Sequence, residues 1–227
     1  MSFIAALVLP FALQSVQSME TSLQGPERFT TCVASIDADA GAAYEEAMAW
    51  AAEARSLYAY RCAAMALIAQ NRFEEGARRL QSLGDALGTP TNAMRAELFA
   101  QAGNAWLLGR EPGQARSAFT RAIALMEGDR AIMPDLLIDR ARAYAMEADW
   151  RQSEEDLSNA LDFRPNDTLA LRLRASARMH QSAFDLAEAD ALRALELAQT
   201  EDDRVGAALA LGHAREARRT GAPVEEQ

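Results

Sequence analysis

Apolar positions in this chain recur at the three-to-four-residue spacing of a helix and nowhere sustain the alternation of a strand. Leu137, Ala141 and Tyr144 share one face of a segment running from Pro134 to Glu147. Trp150, Ser153, Leu157 and Ala160 share one face of a second segment, from Trp150 to Phe163. Ala148-Asp149 supplies the turn between them, and Pro165 with Asn166 ends the pair. Ala, Leu, Arg and Glu lose least on entering a helix, and the chain is rich in all four while β-branched residues are sparse. The predicted fold class is all-α.

The helix pair is repeated. Leu137, Ala141, Trp150, Ala160 and Leu161 return thirty-four residues later as Leu171, Ala175, Phe184, Ala194 and Leu195. A fixed period of this size means stacked supersecondary units, each covering the apolar side of the next. Two earlier copies follow the same rhythm. One has Phe99, Ala102-Gly103, Trp106, Ala115, Phe119 and Ala122; the other has Tyr60, Ala63-Ala64, Leu67, Phe73, Gly76 and Leu80. They are offset by thirty-eight or thirty-nine residues, and the turn-rich stretches 84–92 and 128–133 hold the extra length.

This order of large, small and aromatic positions resembles the tetratricopeptide repeat family. The third unit carries Leu137, Arg140-Ala141, Tyr144, Trp150, Ser153, Leu157, Ala160 and Pro165; the fourth departs at Arg178, where an aromatic is usual. The resemblance implies a right-handed superhelical solenoid of antiparallel helix pairs. Four units are expected in residues 57–200, preceded by a shortened helical hairpin within 19–56. A solvent-facing capping helix over 201–219, with Arg215, Glu216, Arg218 and Arg219, and a disordered tail over 220–227 complete the division.

Residues Ser2 to Val16 form an uncharged apolar run broken by Pro10, shorter than the roughly twenty residues needed to span a bilayer. It has the length of a signal-peptide core, with Val16-Gln17-Ser18 ahead of an expected cleavage before Met19. That reading makes residues 1–18 a signal peptide and the mature protein periplasmic or secreted. An uncleaved amphipathic anchor and a buried first helix of a cytosolic adaptor are the alternatives, since no Lys or Arg precedes the run. All 23 basic residues are Arg, which reads as a bacterial coding bias.

Cys32 and Cys62 are the only cysteines; an even count in an exported chain suggests a disulfide, and in a cytosolic one two buried thiols. In the register of the repeats they stand on the first helices of neighbouring hairpins, where a bridge would staple the end of the stack. The net charge of −10 argues against nucleic-acid and anionic lipid surfaces as partners.

No phosphate-binding glycine loop, H-E-x-x-H or G-x-S-x-G pattern occurs, so no catalytic residue, metal or cofactor is expected. The acidic group Asp149, Glu154, Glu155 and Asp156 reads as a solvated helix start. His180 and His213 read as surface or packing residues. The family resemblance implies a groove lined by the first helix of each unit, with Arg61, Met65, Asn104, Ile138, Arg142, Arg172 and Ser176 in one row. Relatives that grip a terminal carboxylate use Lys, Asn and Arg there, so Arg61, Asn104, Arg142 and Arg172 are the candidate peptide-groove residues. The plainer reading pairs these arginines with Asp135, Asp139 and Glu147 on a solvated face. The expected function is a non-enzymatic scaffold for a protein or peptide. The alternative is a self-associating structural protein whose end units pair by exposed apolar faces, leaving monomer and homodimer both open.

Overall fold

The computed structural model describes residues 25–88 and 91–224. The expected leader (1–18) and its cleavage before Met19 therefore lie outside the described residues, as do the last three residues of the expected tail. Among the described residues there are eleven helices and no strand. They are α1 (25–36), α2 (Ala40–Ala54), α3 (Leu57–Ala69), α4 (Phe73–Ala86), α5 (Asn92–Leu108), α6 (Pro112–Leu125), α7 (Met133–Met146), α8 (Trp150–Phe163), α9 (Thr168–His180), α10 (Phe184–Leu197) and α11 (Glu201–Thr220). The chain divides into two compact units, one ending at Arg79 and the other beginning at Leu80, with the division inside α4.

In the first unit Asp39 starts α2, its Oδ1 accepting from the N–H groups of Gly41 and Ala42 at 2.9 Å each. Two donors that the first turn would leave unpaired are thereby satisfied. Cys32, Ala47, Cys62 and Ala63 form the core, with Phe29, Val33, Ile36, Tyr44 and Met48 packed around them. A disulfide joins Cys32 on α1 to Cys62 on α3, with the Cα atoms 6.3 Å apart. Arg79 donates to the Tyr44 hydroxyl at 3.0 Å and to Glu75 at 3.1 Å, fastening α4 across α2.

The second unit is a regular stack. Each helix from α5 to α11 packs on the next, and α5 on α7, α7 on α9 and α9 on α11 also touch. The helices are antiparallel pairs because four tight turns share one geometry. Asn71, Arg110, Ala148 and Ser182 each adopt a left-handed conformation (φ 57 to 62°). The residue after each donates its N–H to a carbonyl five residues back: Arg72 to Leu67, Glu111 to Trp106, Asp149 to Tyr144 and Ala183 to Arg178, all at 2.9 Å. This is the helix-ending motif usually built on glycine, here accepted by four residues that carry a Cβ. The first of these turns lies in the first unit.

Small side chains set how near the helices come. Ala96, Ala102, Ala115, Ala118 and Ala122 are buried between α5 and α6, and Ala141, Ala160, Ala170, Ala175, Ala187, Ala191 and Ala194 continue the series through α10. Phe99, Phe119, Leu157 and Leu171 fill the spaces between them and are fully buried. At Gly103 the approach leaves no room for a side chain: a Cβ there would stand 2.6 to 2.9 Å from three carbons of the Phe119 ring.

A charged ladder recurs with the same period as the apolar one. Arg140 on α7 holds Asp156 on α8 through two bonds, of 2.8 and 2.7 Å. Thirty-four residues on, Arg174 on α9 holds Asp190 on α10 at 2.8 and 2.9 Å. Each arginine also donates to a hydroxyl of the preceding helix, Thr120 in one case and Ser158 in the other. Arg178, in the place of Tyr144, joins this network by donating to Asp190 and to Glu154 at 2.7 Å each. The acidic group expected to be solvated is therefore divided. Asp149 caps α8 by accepting from Gln152 N–H, whereas the side chain of Asp156 is only 6% exposed and its charge is neutralised by Arg140.

Two outcomes are expected. Gly103→Ala should cost about 1–3 kcal/mol, because the added methyl must displace a buried ring; urea denaturation measures the loss, and Phe119→Leu on the same chain should recover part of it. Replacing Cys32 and Cys62 by serine removes a constraint on a thirty-residue separation, worth about 3–4 kcal/mol by chain entropy. Hydrogen exchange should then speed up over residues 40–69 while residues 133–197 stay protected.

Candidate functional site

The last turn of α7, the start of α8 and the face of α9 enclose a cleft of about 300 Å³. Ala141, Arg142, Ala145 and Met146 come from α7, Trp150 and Ser153 from α8, and Leu173, Ser176 and His180 from α9. The tight turn at Ala148 brings Trp150 back under the end of α7. The imidazole of His180 lies parallel to the indole, with centroids 3.9 Å apart and planes 6° apart. The two rings thus stack face to face, and both residues line the cleft. Met146 stands at the rim, 48% exposed.

Arg142, which lines the cleft, is held from behind by Asp139. Asn104 on α5 donates to its Oδ2 at 3.2 Å, and Arg142, one turn further along α7, donates to its Oδ1 at 3.3 Å. Half of the Arg142 side chain is exposed. Burial pushes the Asp139 carboxyl above the usual carboxylate range, and the bonds from Asn104 and Arg142 only partly oppose that. Arg142 therefore donates a long bond to a partner that carries its charge reluctantly.

The four candidate groove residues are distributed unequally. Asn104 and Arg142 meet on Asp139. Arg172 lies two turns of α9 before His180, with its guanidinium seated on Gly206 of α11 so closely that a Cβ there would stand 2.4 Å from its central carbon. It lines a separate, smaller hollow with Met179 and His213. Arg61 belongs to the first unit, is 7% exposed, and stacks its guanidinium 4.9 Å above the Phe29 ring. Of the acids expected to pair with surface arginines, Asp139 takes Arg142, Asp135 takes Arg164, and Glu147 takes Arg116 at 2.7 Å.

Trp150, His180, Met146 and Ser176 were not singled out together by the sequence. One signal was present: Met146 and His180 are thirty-four residues apart, so each ends the first helix of its own pair. Among the described residues no group of three or more His, Cys, Asp or Glu suits a metal ion, and no helix is long and apolar enough to cross a membrane.

No protein-family profile matches the chain, and no curated protein matches it. Solved structures do. It is similar to the Arabidopsis OM64 TPR domain (26% identity, 55% of this chain and 98% of that one, TM-score 0.49). It is also similar to the first TPR of Spaghetti (RPAP3) bound to an HSP90 peptide (24%, 58% and 99%, TM-score 0.49). A third is the Sgt2 TPR domain from Aspergillus fumigatus (20%, 62% and 93%, TM-score 0.48). In the chain's own geometry, the paired helices, the recurring turn and the thirty-four-residue ladder fit a tetratricopeptide-type repeat.

The raised Asp139 sets a pH test. Below both its folded and unfolded pKa values the residue contributes nothing. Between them the folded chain keeps a proton that the unfolded chain releases, so stability falls as pH rises through the raised value, and the whole penalty is present above it. Thermal melts of Asp139→Asn should therefore gain on the parent from pH 4 to pH 7.5; a constant difference would contradict the burial argument.

Proposed function

We propose that this chain is a non-enzymatic interaction protein that holds an extended segment of a partner protein in the cleft between α7, α8 and α9, outside the cytoplasm. The observation that carries the reading is a stacked ring pair (Trp150 with His180) and a half-exposed guanidinium, Arg142, lining one cleft. An apolar or aromatic side chain of the partner lies against the rings and Met146. Arg142 and the Ser176 hydroxyl meet a carboxylate or carbonyl beside it. A guanidinium paired at 3.3 Å with a partly buried, proton-favouring acid exchanges that bond for an exposed carboxylate at low cost.

Placement outside the cytoplasm rests on the apolar leader and on the Cys32–Cys62 bridge, a bond favoured in oxidising compartments. The test is binding to an immobilised library of extended peptides, comparing the parent chain with Arg142→Ala and with His180→Ala. Hydrogen bonds to a charged group contribute about 1.5–3 kcal/mol, so Arg142→Ala should weaken capture by about tenfold or more with selectivity for acidic peptides lost. His180→Ala should weaken capture of peptides with large apolar residues. Equal binding by all three chains sinks the assignment. Arg61→Ala serves as a poor control, since it uncovers Phe29 in the other unit.

A further inference from the structure

We propose that α11 is a self-pairing surface by which two copies of this chain associate, antiparallel and about a two-fold axis between residues 208 and 209. The last helix of a stack has one face on its neighbours and one in water. Ala207, Leu211, Ala214 and Ala217 form the inward face and are buried. The outward face was expected to be polar, and at its C-terminal end it is. Its middle is apolar instead: Val205 and Leu209 are each 59% exposed, Ala208 is exposed between them, and Gly212 has open space where a Cβ would stand. These four positions follow the spacing of one helical stripe. Single exposed apolar residues need no explanation, but a continuous stripe along the last described helix does.

The occupant follows from charge. The first turn of α11 carries Glu201, Asp202 and Asp203, and the last two turns carry Arg215, Arg218 and Arg219. A second α11 laid parallel would set acid on acid and base on base. Laid antiparallel, it sets Asp202 opposite Arg215 of the other copy, twice by symmetry, and opposes the two helix dipoles. The same register places Val205 over Gly212 of the second copy and Ala208 over Leu209, so each large residue meets a small one. Arg215 and Arg219 are bonded within the chain to Glu188 and Glu216 but remain 58% and 71% exposed, so a second carboxylate can reach them.

Sedimentation equilibrium of the full chain across a wide concentration range tests the pairing. Mass should rise from that of one chain to that of two, Leu209→Arg should weaken the association by about tenfold or more, and higher salt should weaken it further. Leu209 is largely exposed, so circular dichroism of the variant should match the parent. Under mild oxidation, a Val205→Cys chain mixed with a Gly212→Cys chain should cross-link across the two, while neither variant alone should. A mass that stays at one chain at every concentration overturns the proposal. So does a dimer indifferent to Leu209→Arg, or cross-linking of Val205→Cys to itself. None of these readouts depends on peptide binding in the cleft.

Discussion

Close approach of helices through alanine and glycine is the constraint on which the second unit depends. A helix face of alanines buries little area per residue, so it stabilises only if the partner helix comes near enough for the larger neighbours to interlock. Gly103 against Phe119 is one such contact, with a ring lying where a methyl would be. Fixing that spacing fixes the direction of every other side chain along the pair, and the turns at Arg110, Ala148 and Ser182 hold the pairs in one relative direction. Their backbone strain is tolerated because the following N–H closes back onto the helix it leaves.

The Arg140–Asp156 and Arg174–Asp190 pairs act on the same geometry by a different means. Burying a charge is costly without a partner, so each pair adds less to stability than its short bonds suggest. What such a pair does impose is register: a slip of one helix along the other would strand a carboxylate in the interior. Arg178 extends this logic. It stands where the neighbouring unit uses Tyr144, and it occupies that space by bridging Asp190 and Glu154. Burial raises the Glu154 carboxyl, but the bonds from Arg178 and Gln181 outweigh that and hold it below the usual range.

The cleft and the end helix follow from the same stacking. Where two first helices meet, α7 and α9, a hollow lined also by the stacked Trp150 and His180 is left between the helices. On α11, the last helix among the described residues, Val205 and Leu209 stay exposed. A repeat architecture thus generates two kinds of surface, a hollow between units and an apolar end, and both are sites of association in this chain by the proposals above.

The helix pairs were legible in the amino-acid order because helix spacing and the thirty-four-residue recurrence depend on local chemistry: which residues favour a helix, which end one, and which small positions recur. The expected pair 134–147 and 150–163 differs from α7 and α8 by one residue at the ends of the first helix. The offsets of thirty-eight and thirty-nine residues correspond to the connections ahead of α5 and α7. The fate of each charge was not legible. Asp156 and Glu155 are neighbours of the same kind, yet one faces Arg140 in the interior and the other faces water. The recurrence of Arg140 as Arg174 and Asp156 as Asp190 was in the sequence, but sixteen residues of separation says nothing of contact until two helices are folded against each other. The same holds for His180 on Trp150, and for Arg172 on the bare backbone of Gly206. Periodicity assigns a residue to a face; distance between faces, which burial and packing set, assigns its partner.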